Sequence, residues 1–275
     1  MLLRGVNWSG LEYSPTPIPA DHIERITGDW NANIIRVPFN QQWALEDESY
    51  RVLLDQAAEC GVHVLLDLQW INAEIPYGAD NFVPPLPNSE SIEVWRLLAR
   101  RYRDNPAVLF DLFNEPHHPL PDDPYPLVSP DGALLSQVTM AEWQPWALAL
   151  IDAIRDVHPQ SLIFVSGVDW GYDLRGFPLA RPNLVYSTHV YPQRGDEWDS
   201  AFGELSRRVP VFAAEWGGTD LTWGRRTADY LDAFDLGWTA WSWCDEPRLQ
   251  NNGTPTPFGA LVRDRLRALP ERRRP

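Results

Sequence analysis

A chain of 275 residues with 44% hydrophobic content is long enough to bury one large core. Its formal charge of −15 and pI near 4.7 repel phosphate backbones and anionic bilayers, so neither nucleic acid nor a membrane surface is an expected partner. All 23 basic residues are arginine, and the lack of lysine excludes both a Schiff-base enzyme and a P-loop nucleotide hydrolase.

From the N-terminus onward, short apolar segments recur at 2–7, 34–39, 62–69, 108–114, 162–166, 184–189, 211–215 and 237–241. Each reads as a strand, and the run from Ala107 to Phe113 as one buried on both faces, as in a parallel sheet. Stretches of helical period lie between them. The segment 49–60 places Val52, Leu53, Ala57 and Ala58 on one face, and 91–103 does so with Ile92, Trp95, Leu98 and Tyr102. The segment 140–157 aligns Trp143, Trp146, Ala147, Leu150, Ile151 and Ile154. Helices are also expected at 219–236 and 258–269, and at 21–31, 173–179 and 196–208. Eight alternations of strand and helix predict an α/β fold closed as a single-domain (β/α)8 TIM barrel over 1–275. No G-x-G-x-x-G follows a strand, which argues against a dinucleotide-binding sheet, and no G-x-S-x-G elbow marks an esterase.

Turns that enter strands are short, whereas segments that leave them are long: 70–88, 116–137 and 244–257. Long exits on one rim build a cleft. Aromatic and histidine residues within or beside these segments predict ordered loops despite six prolines in 116–130. Cys60 precedes a strand and Cys244 follows one, which puts them at opposite ends of the barrel. A disulfide needs Cα atoms within about 7 Å, so two free, buried thiols are expected. No apolar run reaches the ~18 residues of a membrane span. The start, MLLRGVNWSG, has no signal-peptide pattern, so the protein is expected in the cytosol, or outside the cell with its signal removed.

Two strand exits share a grammar. AVLFDLFNEPH at 107–117 ends its apolar run in Asn114 and Glu115 before Pro116 closes the strand. PVFAAEWGG at 210–218 likewise ends in Glu215. Both carboxylates should project over one rim, and paired carboxylates suit glycoside hydrolysis, one as acid/base and the other as nucleophile. Arg36 in IIRVPFN is placed to keep one of them ionised, Tyr191 in THVYP to orient the same group, and Asn114 to meet a sugar 2-hydroxyl. Asp67 and Asp111 read as structural groups inside the barrel. Fourteen tryptophans are an unusual load. Trp8, Trp70, Trp170, Trp216, Trp241 and Trp243 fall near strand ends, where indole faces can stack on sugar rings, while Trp30, Trp95, Trp146 and Trp238 should fill the core. His117 and His118 point apart and lack a third ligand, so they read as loop residues, and no metal or cofactor is expected.

Taken together, RGVNWSG at 4–10, Arg36, LFNEP around Glu115, His189-x-Tyr191, AAEWGG around Glu215 and GWTAWSW around Trp241 resemble glycoside hydrolase family 5 along nearly the whole chain. The resemblance implies a retaining (β/α)8 glycosidase with Glu115 as acid/base and Glu215 as nucleophile. It also implies Arg36, Asn114, His189, Tyr191 and Trp241 as the supporting shell. Where the family usually shows Leu-Asp-x-His, this chain has LDLQW, which puts Gln69 beside Trp70 at that exit and bears on substrate preference. Trp8, Trp70 and Trp170 are candidates for more distant sugar subsites. The expected activity is that of an endo-β-1,4-glucanase, a monomer acting on an oligo- or polysaccharide. A β-mannanase, an exo-acting β-glucosidase or mannosidase, and a barrel that binds polysaccharide without cutting it are the alternatives.

Overall fold

The computed structural model describes residues 2–72, 84–120 and 125–269. Strands β1 (Arg4–Asn7), β2 (Ile34–Asn40), β3 (His63–Trp70), β4 (Val108–Asp111), β5 (Ile163–Ser166), β6 (Leu184–Val190), β7 (Val211–Trp216) and β8 (Gly237–Ala240) form a closed parallel barrel in sequence order. β8 returns to β1 with Gly5 opposite Thr239, and Gly5 also faces Ile34 on β2. The barrel is the expected (β/α)8 fold. β4 stops three residues short of the predicted end, yet Leu112 and Asn114 still donate to Phe164 and Leu68 on either side (both 3.0 Å). The chain therefore stays extended up to the rim.

Side chains alternate along each strand, and this sorts the interior into layers. Ile34, Leu65, Leu109, Phe164, Val185, Phe212 and Ala214 form an apolar floor, with Phe164 and Phe212 edge to face at 5.2 Å. Two residues further along the same strands stand Arg36, Asp67, Asp111, Ser166 and Ser187, all fully buried. Two further still come Gln69 on β3 and His189 on β6. The helices seal the outside of the barrel, where Trp30, Trp95, Trp146 and Trp238 are buried as expected.

The helices are α1 (Ala20–Glu24), α2 (Gln41–Glu46), α3 (Glu48–Ala58), α4 (Ser89–Arg101), α5 (Met140–Arg155), α6 (Glu204–Ser206), α7 (Leu221–Ala233) and α8 (Pro257–Arg267). Helix α2 was not expected, because six residues are too few to show a period. Its signal is Asn40, whose side chain accepts from the Gln42 and Trp43 amides. Helix α1 runs into a π turn over Arg25–Asp29, and a similar turn over Asp199–Gly203 leads into α6. No helix forms at 173–179. The left-handed backbone at Gly171 and Gly176 and the proline at 178 break it, and bridges between Gly167 and Gly171 and between Val168 and Asp173 make a tight hairpin instead. On α3 the buried face is Tyr50, Leu54, Ala57 and Ala58, while Val52 is exposed, a phase error in the predicted face. Cys60 and Cys244 are both thiols, as expected, but partly rather than fully buried.

The exit loops carry the structure that walls a cleft. Residues 73–83 and 121–124 of the loops expected to be ordered lie outside the described residues. Beyond them, Val128 bridges Leu134 in the β4 exit, and β9 (Gln250–Asn251) pairs antiparallel with β10 (Thr254–Pro255) in the β8 exit. Thr139 and Glu142 then start α5 with a capping box. Thr139→Ala should cost about 1 kcal/mol and lower the melting temperature by about 2–4 °C in a calorimetric scan.

Candidate active site

Arg36 organises the barrel mouth. Its guanidinium, fully buried, donates from Nε to Asp111 Oδ2 (2.9 Å) and from Nη1 to Asn7 Oδ1 (2.9 Å) and Glu215 Oε1 (2.8 Å). Nη2 donates to Asn114 Oδ1 (3.0 Å) and lies 2.9 Å from Asp67 Oδ1, off line for a hydrogen bond. The planar fork of arginine suits so many in-plane acceptors, and lysine could not replace it. Neither oxygen of Asp67 has a hydrogen-bond partner among the described residues. Burial, reinforced by the nearby charges of Asp111 and Glu215, pushes its carboxyl well above the usual range against the pull of Arg36. Asp67 and Asp111 are thus interior structural groups, as expected. Asn7 completes the hub by donating to the Ala214 and Thr239 carbonyls (2.9 and 3.2 Å), which fixes its amide oxygen on Arg36. Sequence reasoning passed over Asn7, although it occupies the same strand-exit position as the two glutamates.

The two glutamates stand over this hub with different partners. Glu215 accepts from Arg36 on one oxygen and from the Tyr191 hydroxyl (2.6 Å) on the other. Burial raises its pKa, and His189, Arg36 and the Tyr191 hydrogen bond oppose that rise. Glu115 is 2.9 Å from His189 Nδ1 through Oε1 and makes no hydrogen bond to an arginine among the described residues. Burial pushes its carboxyl up to about 7, with Arg36 and Arg194 pulling the other way from a distance. His189, fully buried, is pulled down to about 4 by burial and is a neutral ring at neutral pH. Gly171 must be glycine here, because a Cβ would stand 2.8 Å from the His189 ring and its φ is +73°. One ligand atom each from Glu115, His189 and Glu215 fall within 4.8 Å of one another. That spacing would admit a cation, but the Glu215 oxygens already face Arg36 and Tyr191, and His189 Nδ1 already faces Glu115. The charge there is met by protein donors.

A cleft of about 590 Å³ opens above, lined by both glutamates, Gln69, Tyr191, Trp170, Arg194, Trp241 and the bare backbone of Gly217 and Gly218. Gln69 presents an amide oxygen that is buried without a hydrogen-bond partner among the described residues. Of the six tryptophans read as sugar platforms, Trp170 and Trp241 reach the cleft. Trp8 does not: it is buried with its indole N–H donated to His22 Nδ1 (3.2 Å). Trp70 is also buried, and Trp216 and Trp243 pack edge-on against Trp238 (5.3 Å) and Trp30 (4.8 Å). Trp170 itself has one face covered, since His117 stacks on it at 3.7 Å with the planes 15° apart. Both histidines are loop residues, as expected; His117 is fully buried there, while exposed His118 accepts from the Val138 amide (3.3 Å).

Eight parallel strands with two carboxylates at the rim define the class of barrel hydrolases that act on glycosidic bonds. The particular lineage follows from comparison with known proteins. The family model for cellulase (glycosyl hydrolase family 5) matches residues 3–247, so the chain belongs to that family. It is 24% identical over 307 residues to endoglucanase MaCel5A of Microbulbifer sp. (strain ALW1), covering 96% of this chain and 54% of that one. The chain thus spans about half the length of that relative. Among solved structures, the native β-glucanase SdGluc5_26A of Saccharophagus degradans superposes with a TM-score of 0.76 at 22% identity, covering 97% of this chain and 88% of that one. An endocellulase of Pyrococcus horikoshii in complex with cellotetraose does so with 0.75 at 22%, covering 97% and 92%. At that identity the two structures speak to the fold.

Proposed function

We propose that this hydrolase cleaves β-1,4-linked glucans within the chain and with retention, Glu215 attacking the anomeric carbon and Glu115 serving as acid and then base. The observation that carries this reading is the closeness of the two carboxyl groups, an oxygen of each within 4.8 Å of the other. Retaining pairs stand about 5–5.5 Å apart, whereas inverting pairs leave about 6.5–9.5 Å for a water. Their environments favour the division of labour. Glu215 has Arg36 and Tyr191 as donors, while Glu115, at about 7, holds its proton near neutrality. Arg36 takes the Asn114 amide oxygen, which leaves the amide N–H groups as donors for a 2-hydroxyl. The names of the relatives, endoglucanase and endocellulase, and the cellotetraose bound by one of them favour a glucan over other β-glycans. A monomer suffices for every contact in this scheme.

The test is a reducing-sugar assay across cellulose-derived β-glucans and mannans, with NMR of the first-formed anomer. Faster release from mannan would move the substrate to mannosides, and an α anomer from a β-glucan would rule out retention. Trp241 is the platform under the sugar that is cleaved. Trp241→Ala should lower kcat/KM on cellotetraose by about 10–100-fold, on the scale of ring stacking at about 1–3 kcal/mol. An unchanged kcat/KM would return this ring to the core.

A further inference from the structure

Among the described residues one cationic side chain lines the cleft, and the scheme above gives it no role. Arg194 ends a short 3-10 turn, Pro192–Arg194, directly after β6 and Tyr191. Its amide donates to the Tyr191 carbonyl (3.0 Å), so the residue that steadies Glu215 and the one that brings a guanidinium to the cleft share one turn. Nη1 donates to Asp169 Oδ1 (2.9 Å), and Cζ lies 5.7 Å from the centre of the Trp170 ring. Trp170 is held in turn by His117 on its covered face and by its own amide, which donates to the Pro116 carbonyl (3.1 Å). Asp169 and Trp170 both adopt left-handed backbone, φ +55° and +61°, a costly conformation for residues with a Cβ. The assembly thus runs from the residues beside Glu115, through His117 and Trp170, to a guanidinium at the cleft. An exposed pair such as Asp169–Arg194 does little for stability, so its consequence is placement.

We propose that Arg194, held by Asp169 and Trp170, is the binding element for the departing sugar, its guanidinium donating to hydroxyl groups of the leaving-group unit. This rests on the hydrolase reading, with Glu115 as the acid. The proton goes from Glu115 to the glycosidic oxygen, so the departing sugar lies on the Glu115 side of the cleft. Arg194 is on that side: it lies over Trp170, which stacks on His117 and donates to the Pro116 carbonyl, the two residues that follow Glu115. A guanidinium offers parallel donors that match two neighbouring hydroxyls, as an ammonium does not. Asp169 takes one donor and leaves the rest of the fork for the sugar. Trp170, with one face on His117, serves as the base of this element and not as a free platform.

The experiment compares two substrates that share the glycone and differ in what leaves: cellotetraose, and nitrophenyl β-cellobioside, whose leaving group has no sugar hydroxyls. For Arg194→Gln, the ratio of kcat/KM on cellotetraose to that on the aryl substrate should fall about tenfold, mainly through KM. The basic limb of the cellotetraose pH profile should also move upward, because loss of a nearby positive charge raises the pKa of Glu115. Arg194→Lys should keep the limb in place but lose most of the preference, because it keeps charge and not the fork. An unchanged ratio in both variants would overturn the proposal, as would an equal loss on both substrates. Wild-type protein that cleaves neither substrate would refute the hydrolase reading and this inference with it.

Discussion

Glu215→Gln is expected to lower kcat on cellotetraose by about 10⁴-fold or more, with the far-UV circular dichroism of the wild type retained. Glu115→Gln should lose about 10²–10⁴-fold on the same substrate and much less on nitrophenyl β-cellobioside, whose leaving group needs no proton. The sign of the pH dependence follows from the Glu115 carboxyl at about 7. The acid must be protonated, so wild-type kcat/KM on cellotetraose should fall as the pH rises through 7, and Glu115→Gln should lack that limb. Azide distinguishes the roles. Rescue of Glu215→Ala with an activated β-aryl substrate should give the α-glycosyl azide, because azide takes the place of the nucleophile. Rescue of Glu115→Ala should give the β-glycosyl azide, by attack on the covalent intermediate from the opposite face. Swapped anomers would exchange the two assignments.

The largest effect on stability is expected at Arg36. Arg36→Met removes the cation that faces Asp67, Asp111 and Glu215 in a site without water access from below. Breaking a buried charge network by deleting one partner costs about 3–5 kcal/mol. Chemical denaturation of this variant should therefore show a midpoint shift with little change in slope. Arg36→Lys should recover part of the stability and little of the turnover, since a point charge cannot reach the Asn114 and Asn7 amides together with the carboxylates. Wild-type stability in Arg36→Met would mean that the carboxylates are neutral without it.

Much of the barrel was legible because its strands are buried on both faces and so stand out as apolar runs. The rim residues were legible for a related reason: a polar residue that ends such a run has only the mouth to face. That logic found Glu115, Glu215 and Arg36. It did not reveal that Arg36 serves Asn7, Asp67 and Asp111 as well, because the register that brings those strands level is a property of the closed sheet. Tryptophan roles were harder to read. A position near a strand end does not say whether the ring turns toward the mouth, as Trp241 does, or toward the helices, as Trp216 does. Trp8 depended on His22, fourteen residues away, and Trp170 on His117, and no local pattern encodes either contact. Helix α3 was found but turned by a residue or two, since Tyr50 rather than Val52 points inward.

The Arg36 hub on β2 takes its partners from β1, β3, β4 and β7, so it can be completed only after the sheet has closed on itself. Until β7 arrives, a guanidinium already walled in by its neighbours lacks the Glu215 carboxylate, and until β1 arrives it lacks the Asn7 amide. Completion of this network and closure of the sheet are therefore the same event. Fragments divided between β4 and β5 should be inert singly and gain activity only on mixing, in step with the return of cooperative unfolding.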